Sequence, residues 1–171
     1  MARTLDTSTT RLAKLTVSAP AILLVDDSKE FLDLWWRRLS SHGFHVFTAA
    51  GSSEALQLVR SHHPVIKAMI LDLVLEPPVL RLASRKQATP RVHGDRLAKV
   101  LRQRYPDLGI VLTSALSERE LTRHGIRPDL GQFPFLPKPI EENRLIAELH
   151  TIVSKKRTDP APPLEAPPRA V

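Results

Sequence analysis

Two hydrophobic patterns alternate along this chain. Short continuous apolar runs, Ala21–Val25, Ala68–Leu71 and Ile110–Leu112, read as strands covered on both faces, because a strand with one wet face would alternate apolar and polar residues. His45–Ala49 reads as another strand, and Phe133–Leu136, running on to Lys138, as a fifth. Between them apolar residues recur at helical spacing. Phe31, Leu34, Trp35 and Leu39 follow a capping Ser28 and precede a terminating Gly43. Ala55, Leu56, Leu58 and Val59 lie in a helix opening at Ser52. Leu97, Val100 and Leu101 lie in one opening at Gly94 and stopped by Pro106. A short helix starts at Ser117, and a last one begins at Pro139 with Leu145, Ile146, Leu149 and Val153 on its apolar side. The outcome is β-α repeated five times, an α/β domain with helices on both faces of a parallel sheet.

Four of the apolar runs end on polar residues: Asp26 and Asp27, Asp72, Thr113, and Lys138. Parallel strands of one sheet would bring these together at one edge. Three carboxylates there suit a hard divalent cation, and a lysine offers a compact charge to an anion. Each residue also has a plainer explanation. Asp26 and Asp27 would complement a helix N-terminus, and Thr113 suits a strand through its β-branch. Asp72 is less easily dismissed, since a carboxylate between Ala68–Leu71 and Leu73–Leu75 needs a positive partner. Lys138 stands between Pro137 and Pro139, which fix its direction, and proline lowers the cost of a cis Lys138–Pro139 bond.

Composition narrows the picture further. The 171 residues suit one domain. Residues 1–19 lack a sustained apolar period and are expected to form a flexible segment. The proline-rich stretch 155–171 is expected to be a disordered tail, leaving 20–154 as the folded unit. Without cysteine, disulfides and thiol chemistry are excluded. No apolar run is long enough for a membrane span or a signal-peptide core, so a cytoplasmic protein without membrane contact is expected. Of the net charge of +7, nearly all lies in residues 76–104, where Arg81, Arg85, Lys86, Arg91, Arg96, Lys99, Arg102 and Arg104 face only Glu76 and Asp95. Within that stretch, residues 76–93 read as a basic insertion after the third strand, too long for an ordinary strand-to-helix turn.

Ile22–Asp27, Ile70–Asp72, Val111–Thr113 and Phe135–Pro139, in this order and on these strand ends, resemble the receiver domain of two-component response regulators, a CheY-like superfamily. The resemblance covers about residues 20–153. It implies a flavodoxin-like, doubly wound five-stranded parallel sheet of order 2-1-3-4-5 in a single domain, with strands one and three adjacent at the switch point. It also implies a phosphoprotein of phosphorelay signal transduction, in which Asp72 accepts a phosphoryl group from a sensor histidine kinase or a phosphotransfer protein. Mg²⁺ would be held by Asp27, Asp72 and the backbone carbonyl of Val74, with Asp26 acting through an ordered water. Lys138 and Thr113 would contact phosphoryl oxygens, and Phe135 matches the family's aromatic switch position.

The sequence departs from the family pattern in places. Gly94 arrives only after the basic insertion, about a dozen residues later than a short family turn would place it. Ser114 stands beside Thr113 and leaves open which hydroxyl faces the phosphoryl group. With no second globular domain after Lys156, output is expected through protein contacts with an unknown partner. The face made by the fourth helix, fifth strand and fifth helix offers a route to a homodimer. An alternative is a receiver-fold scaffold whose basic insertion binds nucleic acid or another polyanion. It is disfavoured by the lack of a DNA-reading module and of aromatics near the basic run. A Mg²⁺-dependent phosphohydrolase is also disfavoured, since the first strand ends Asp26-Asp27-Ser28 without the Asp-x-Asp such enzymes use. No enzyme activity is expected beyond the protein's own phosphorylation and dephosphorylation.

Overall fold

The computed structural model describes residues 19–75, 94–123, 125–126 and 131–155. The basic insertion 76–93, nearly all of the N-terminal segment and nearly all of the proline-rich tail lie outside the described residues. In chain order the elements are β1 Ala21–Val25, α1 Lys29–Ser41, β2 His45–Ala49, α2 Ser52–His62, β3 Ile66–Asp72, α3 Gly94–Arg104, β4 Gly109–Ser114, α4 Glu118–Arg123, β5 Phe135–Pro137 and α5 Glu142–Lys155. The five strands form one parallel sheet of order β2-β1-β3-β4-β5, as the flavodoxin-like arrangement requires.

Alternation along each strand divides the core in two. Leu23, Val25, Met69, Leu71, Ile110 and Leu112 pack beneath Ala55, Val59, Leu97, Leu101 and Leu121 of α2, α3 and α4. Ile22, Leu24, Ala68, Ile70, Val111 and Leu136 face α1 and α5 through Leu32, Trp35, Leu39, Leu145 and Leu149. Burial on both faces is why these strands read as unbroken apolar runs.

Two apolar helix positions lie outside the buried stripes that their spacing predicts. Leu34 is 46% exposed, while Leu32, Trp35 and Leu39 form the buried stripe of α1; Leu34 lies two residues from Leu32 and so on nearly the opposite side. In α3, Val100 is exposed and Ala98 takes the inward place between Leu97 and Leu101. The expected ends are otherwise met at α1: the Phe31 N–H donates to Ser28 Oγ at 3.2 Å, and Gly43 closes the turn with φ of +83°.

Around β5 the boundaries shift. Phe133 is buried but precedes the strand, which spans only Phe135–Pro137; Pro134 has no N–H for the ladder, though its carbonyl accepts from the Leu112 N–H at 2.8 Å. The Lys138 N–H extends that ladder by donating to the Ser114 carbonyl at 2.8 Å, and the Lys138–Pro139 bond is cis. The last helix opens at Glu142 rather than Pro139, because Ile140 is first drawn into the core shared by α1 and α5.

Candidate phosphoacceptor and metal site

Register builds the site. Val25 pairs with Leu71, so Asp26 stands level with Asp72, and Asp72 in turn pairs with Thr113. Thr113 pairs with Leu136, two residues before Lys138. Side chains two residues apart share a sheet face, so Asp26, Asp72, Thr113 and Lys138 continue the rows of Leu24, Ile70, Val111 and Leu136 past the core to the sheet's C-terminal edge. Asp27 is exposed in the turn before α1. One carboxylate oxygen from each of Asp26, Asp27 and Asp72 lies within 4.8 Å of the others.

The charges are unevenly matched. Lys138 Nζ lies 2.5 Å from Asp26 Oδ2 and 3.4 Å from Asp72 Oδ1. The first is a short charge-assisted hydrogen bond; the second is an ion-pair distance too long to count as a good hydrogen bond. Asp26 Oδ1 also accepts from the Ser28 N–H at 3.0 Å. Asp72, only 4% exposed, keeps Oδ1 without a hydrogen-bond partner among the described residues. Burial pushes its carboxyl up from 3.8 to about 7; the Lys138 charge opposes this rise, and the Asp26 and Asp27 charges add to it. Three carboxylates, all oxygen donors, gathered around one buried unsatisfied oxygen form a donor set that fits a hard divalent cation.

The two neighbouring hydroxyls part company. Ser114 Oγ accepts from the Leu116 N–H at 3.1 Å, which ties it into the turn leading to α4. Thr113 Oγ1 is buried without a partner among the described residues, on the face and in the row of Asp72. Phe135, half-buried, lies on the opposite sheet face against the cluster under α2, α3 and α4. Val74 is half-buried shortly after β3.

These features invite comparison with known proteins. No protein-family model matches the chain. It is 29% identical over 134 residues to the transcriptional regulatory protein CpxR of Escherichia coli K12, covering 78% of this chain and 49% of that one. To the response regulator MprA of Mycolicibacterium vanbaalenii it is 30% identical over 139 residues, covering 81% of this chain and 52% of the relative. The chain carries a response-regulator receiver domain. It spans about half the length of the curated relatives it matches. A signal receiver domain of an HD domain-containing protein from Pseudomonas fluorescens Pf-5 has the same fold, with a TM-score of 0.64 at 22% identity over 82% of this chain and 99% of that one. A response regulator receiver protein from Sinorhizobium medicae WSM419 matches with a TM-score of 0.61 at 24% identity, over 81% of this chain and 98% of that one.

Within the receiver, Gly94 resumes the described chain directly against the end of β3. Its N–H donates to the Leu73 carbonyl at 3.0 Å, and a Cβ there would collide with the Asp72 carbonyl oxygen. However long the insertion, the chain must re-enter here with no side chain. The sequence marks a late glycine here but carries no sign of this contact. Nor does it mark as buried Asp95, the next residue, whose Oδ1 is unpartnered among the described residues. An acidic residue at a helix start gives no sequence signal of burial.

Proposed function

We propose that this receiver domain accepts a phosphoryl group on Asp72 from the phosphohistidine of a sensor histidine kinase or phosphotransfer protein. The observation that supports this best is the pair of buried, unsatisfied groups, Asp72 Oδ1 and Thr113 Oγ1, side by side in register with the Lys138 ammonium 3.4 Å from the first. Leaving such groups unsatisfied costs stability in a resting protein; the Asp72 oxygen suits a nucleophile toward phosphorus, and the Thr113 hydroxyl and Lys138 ammonium suit the oxygens of the incoming phosphoryl group.

In the transfer an Asp72 oxygen forms the new O–P bond as the donor's P–N bond breaks, its electron pair leaving on the imidazole. Asp26, Asp27, Asp72 and the Val74 carbonyl would hold Mg²⁺, whose charge would offset that of the transferring phosphoryl oxygens. Lys138, held by Asp26 while Asp72 is free, would move its ammonium onto a phosphoryl oxygen. Thr113 would donate its hydroxyl to another, and Phe135 would follow that displacement from the other face. Signalling would then proceed through phosphorylation-dependent protein contacts of a cytoplasmic protein, with no catalysis beyond the protein's own phosphorylation and dephosphorylation.

The polyanion reading draws less support from the described residues. Of the basic side chains of α3, Arg102 donates to the Pro106 carbonyl at 2.9 Å and lies over the Phe133 ring, and Arg104 lies over Tyr105. Among the described residues, no helix is long and apolar enough to cross a membrane.

Intact mass after incubation with Mg²⁺ and acetyl phosphate tests the proposal. A Mg²⁺-dependent gain of one phosphoryl group, absent in Asp72→Asn, is expected. No gain, or a gain unaffected by Asp72→Asn, would overturn it.

A further inference from the structure

Lys138 is held by more than carboxylates. Its ammonium lies 4.3 Å from the centroid of the Phe31 ring, inside the range for a cation–π contact, and its side chain is only 17% exposed, where such contacts gain strength. Phe31 belongs to the first turn of α1 and is half-buried, its backbone N–H fixed by the Ser28 cap.

The ring is braced from behind. Phe31 and Trp35 are one helical turn apart with centroids 6.1 Å apart, and the guanidinium of Arg38 lies 5.3 Å over the Trp35 ring. Arg38 Nη1 is 3.2 Å from Glu142 Oε2, and His42 Nε2 is 3.0 Å from Glu142 Oε1. A ladder of alternating contacts thus runs down one flank of α1, from Lys138 at its start to Glu142 at its third turn. Both ends of the segment joining β5 to α5 rest on it, so the Phe31 ring is braced on the side away from Lys138.

We propose that Phe31 is the positioning residue for Lys138, presenting its ring face as a neutral floor that holds the ammonium beside Asp26 and Asp72 and lets it slide to the phosphoryl group. This rests on the phosphoacceptor reading of Asp72. A third carboxylate in this place would bind the ammonium tightly and oppose its transfer. An aliphatic side chain would leave it to Asp26, the nearer partner. An aromatic face attracts a cation over a broad area without a lone pair to release, so the ammonium can change partners while staying near 4.3 Å from the ring.

The test compares the full chain carrying Phe31, Phe31→Leu, Phe31→Tyr, and a trifluorophenylalanine at position 31, which weakens the ring's negative face with little change of shape. The rate of phosphorylation by acetyl phosphate with Mg²⁺ is measured, along with the NMR shift of the Lys138 side-chain methylene protons in the metal-free protein. The Lys138 protons are expected to show a ring-current shift in the Phe, Tyr and fluorinated forms and to lose it in Phe31→Leu. Phosphorylation is expected to slow about two- to fivefold in Phe31→Leu and in the fluorinated form, and to stay near the original rate in Phe31→Tyr. A fluorinated form as fast as the parent would reduce Phe31 to a packing residue and overturn the proposal, as would an unshifted Lys138 in the parent. If the parent itself gains no phosphoryl group on Asp72, the reading beneath it fails as well, and the two failures are told apart by the parent's mass.

Discussion

Asp72 concentrates the tension of the site in one side chain. Its raised pKa means that, in the metal-free protein, the folded state keeps a proton between pH 3.8 and about 7 that the unfolded chain has released. As pH rises through that window the folded state must give the proton up, so stability is lost on going up in pH, and above about 7 it levels off. Asp72→Asn removes the titration. In metal-free buffer the variant is therefore expected to gain on the parent by roughly 2–4 kcal/mol between pH 5 and pH 8 in denaturant melts. Parallel pH profiles for the two proteins would show that Asp72 is ionised throughout. The residue types and order of the site were legible in the sequence, because a carboxylate ending an apolar run needs a partner. That Thr113 rather than Ser114 faces Asp72 was not, because two adjacent hydroxyls differ only in which face of the strand they take.

At the scale of elements, the junction between β3 and α3 carries a close backbone contact. A Cβ on Gly94 would meet the backbone of Asp72 and Leu73, which cannot swing aside as a side chain can. Gly94→Ala is expected to destabilise the protein by about 2–3 kcal/mol in a chemical melt and to slow phosphorylation by displacing Asp72. Gly51→Ala serves as the control. Nothing lies within 4 Å of a Cβ there, and its φ of −172° suits any residue, so the cost is expected to stay below about 1 kcal/mol. Equal losses in the two variants would mean that a cost common to replacing a glycine at a helix start, not the approach to Asp72, sets the effect. Helix and strand identity were readable at this scale. The inward stripe was not always so, as Leu34 and Val100 show, because a helix with apolar residues on more than one side does not state which side the sheet will cover.

The whole molecule decides whether three carboxylates can share one edge. Asp26 and Asp27 follow β1, Asp72 ends β3, and their oxygens come within 4.8 Å with one ammonium among them. Mutual repulsion there is a cost that a divalent cation would remove. Mg²⁺ at about tenfold over its dissociation constant is expected to raise the melting temperature by roughly 3–8 °C at pH 8. The rise should shrink toward pH 6, where a proton on Asp72 competes, and should be largely lost in Asp27→Asn. A shift of the same size in Asp27→Asn would place the ion elsewhere.

The five β-α units, the burial of the sheet on both faces and the residues at the strand ends are legible in the chain's residues alone, because these follow from local hydrophobic period and from the cost of burying an unpaired charge. Its resemblance to receivers supplied the strand order. Folding in three dimensions was needed to set the register that puts Asp72 beside Thr113, the lean of Lys138 toward Asp26, the ring of Phe31 beneath that lysine, and the bare approach of Gly94 to the end of β3. Each joins residues distant in sequence or opposite in facing, and a one-residue slip between strands would have turned the same side chains to the other side of the sheet.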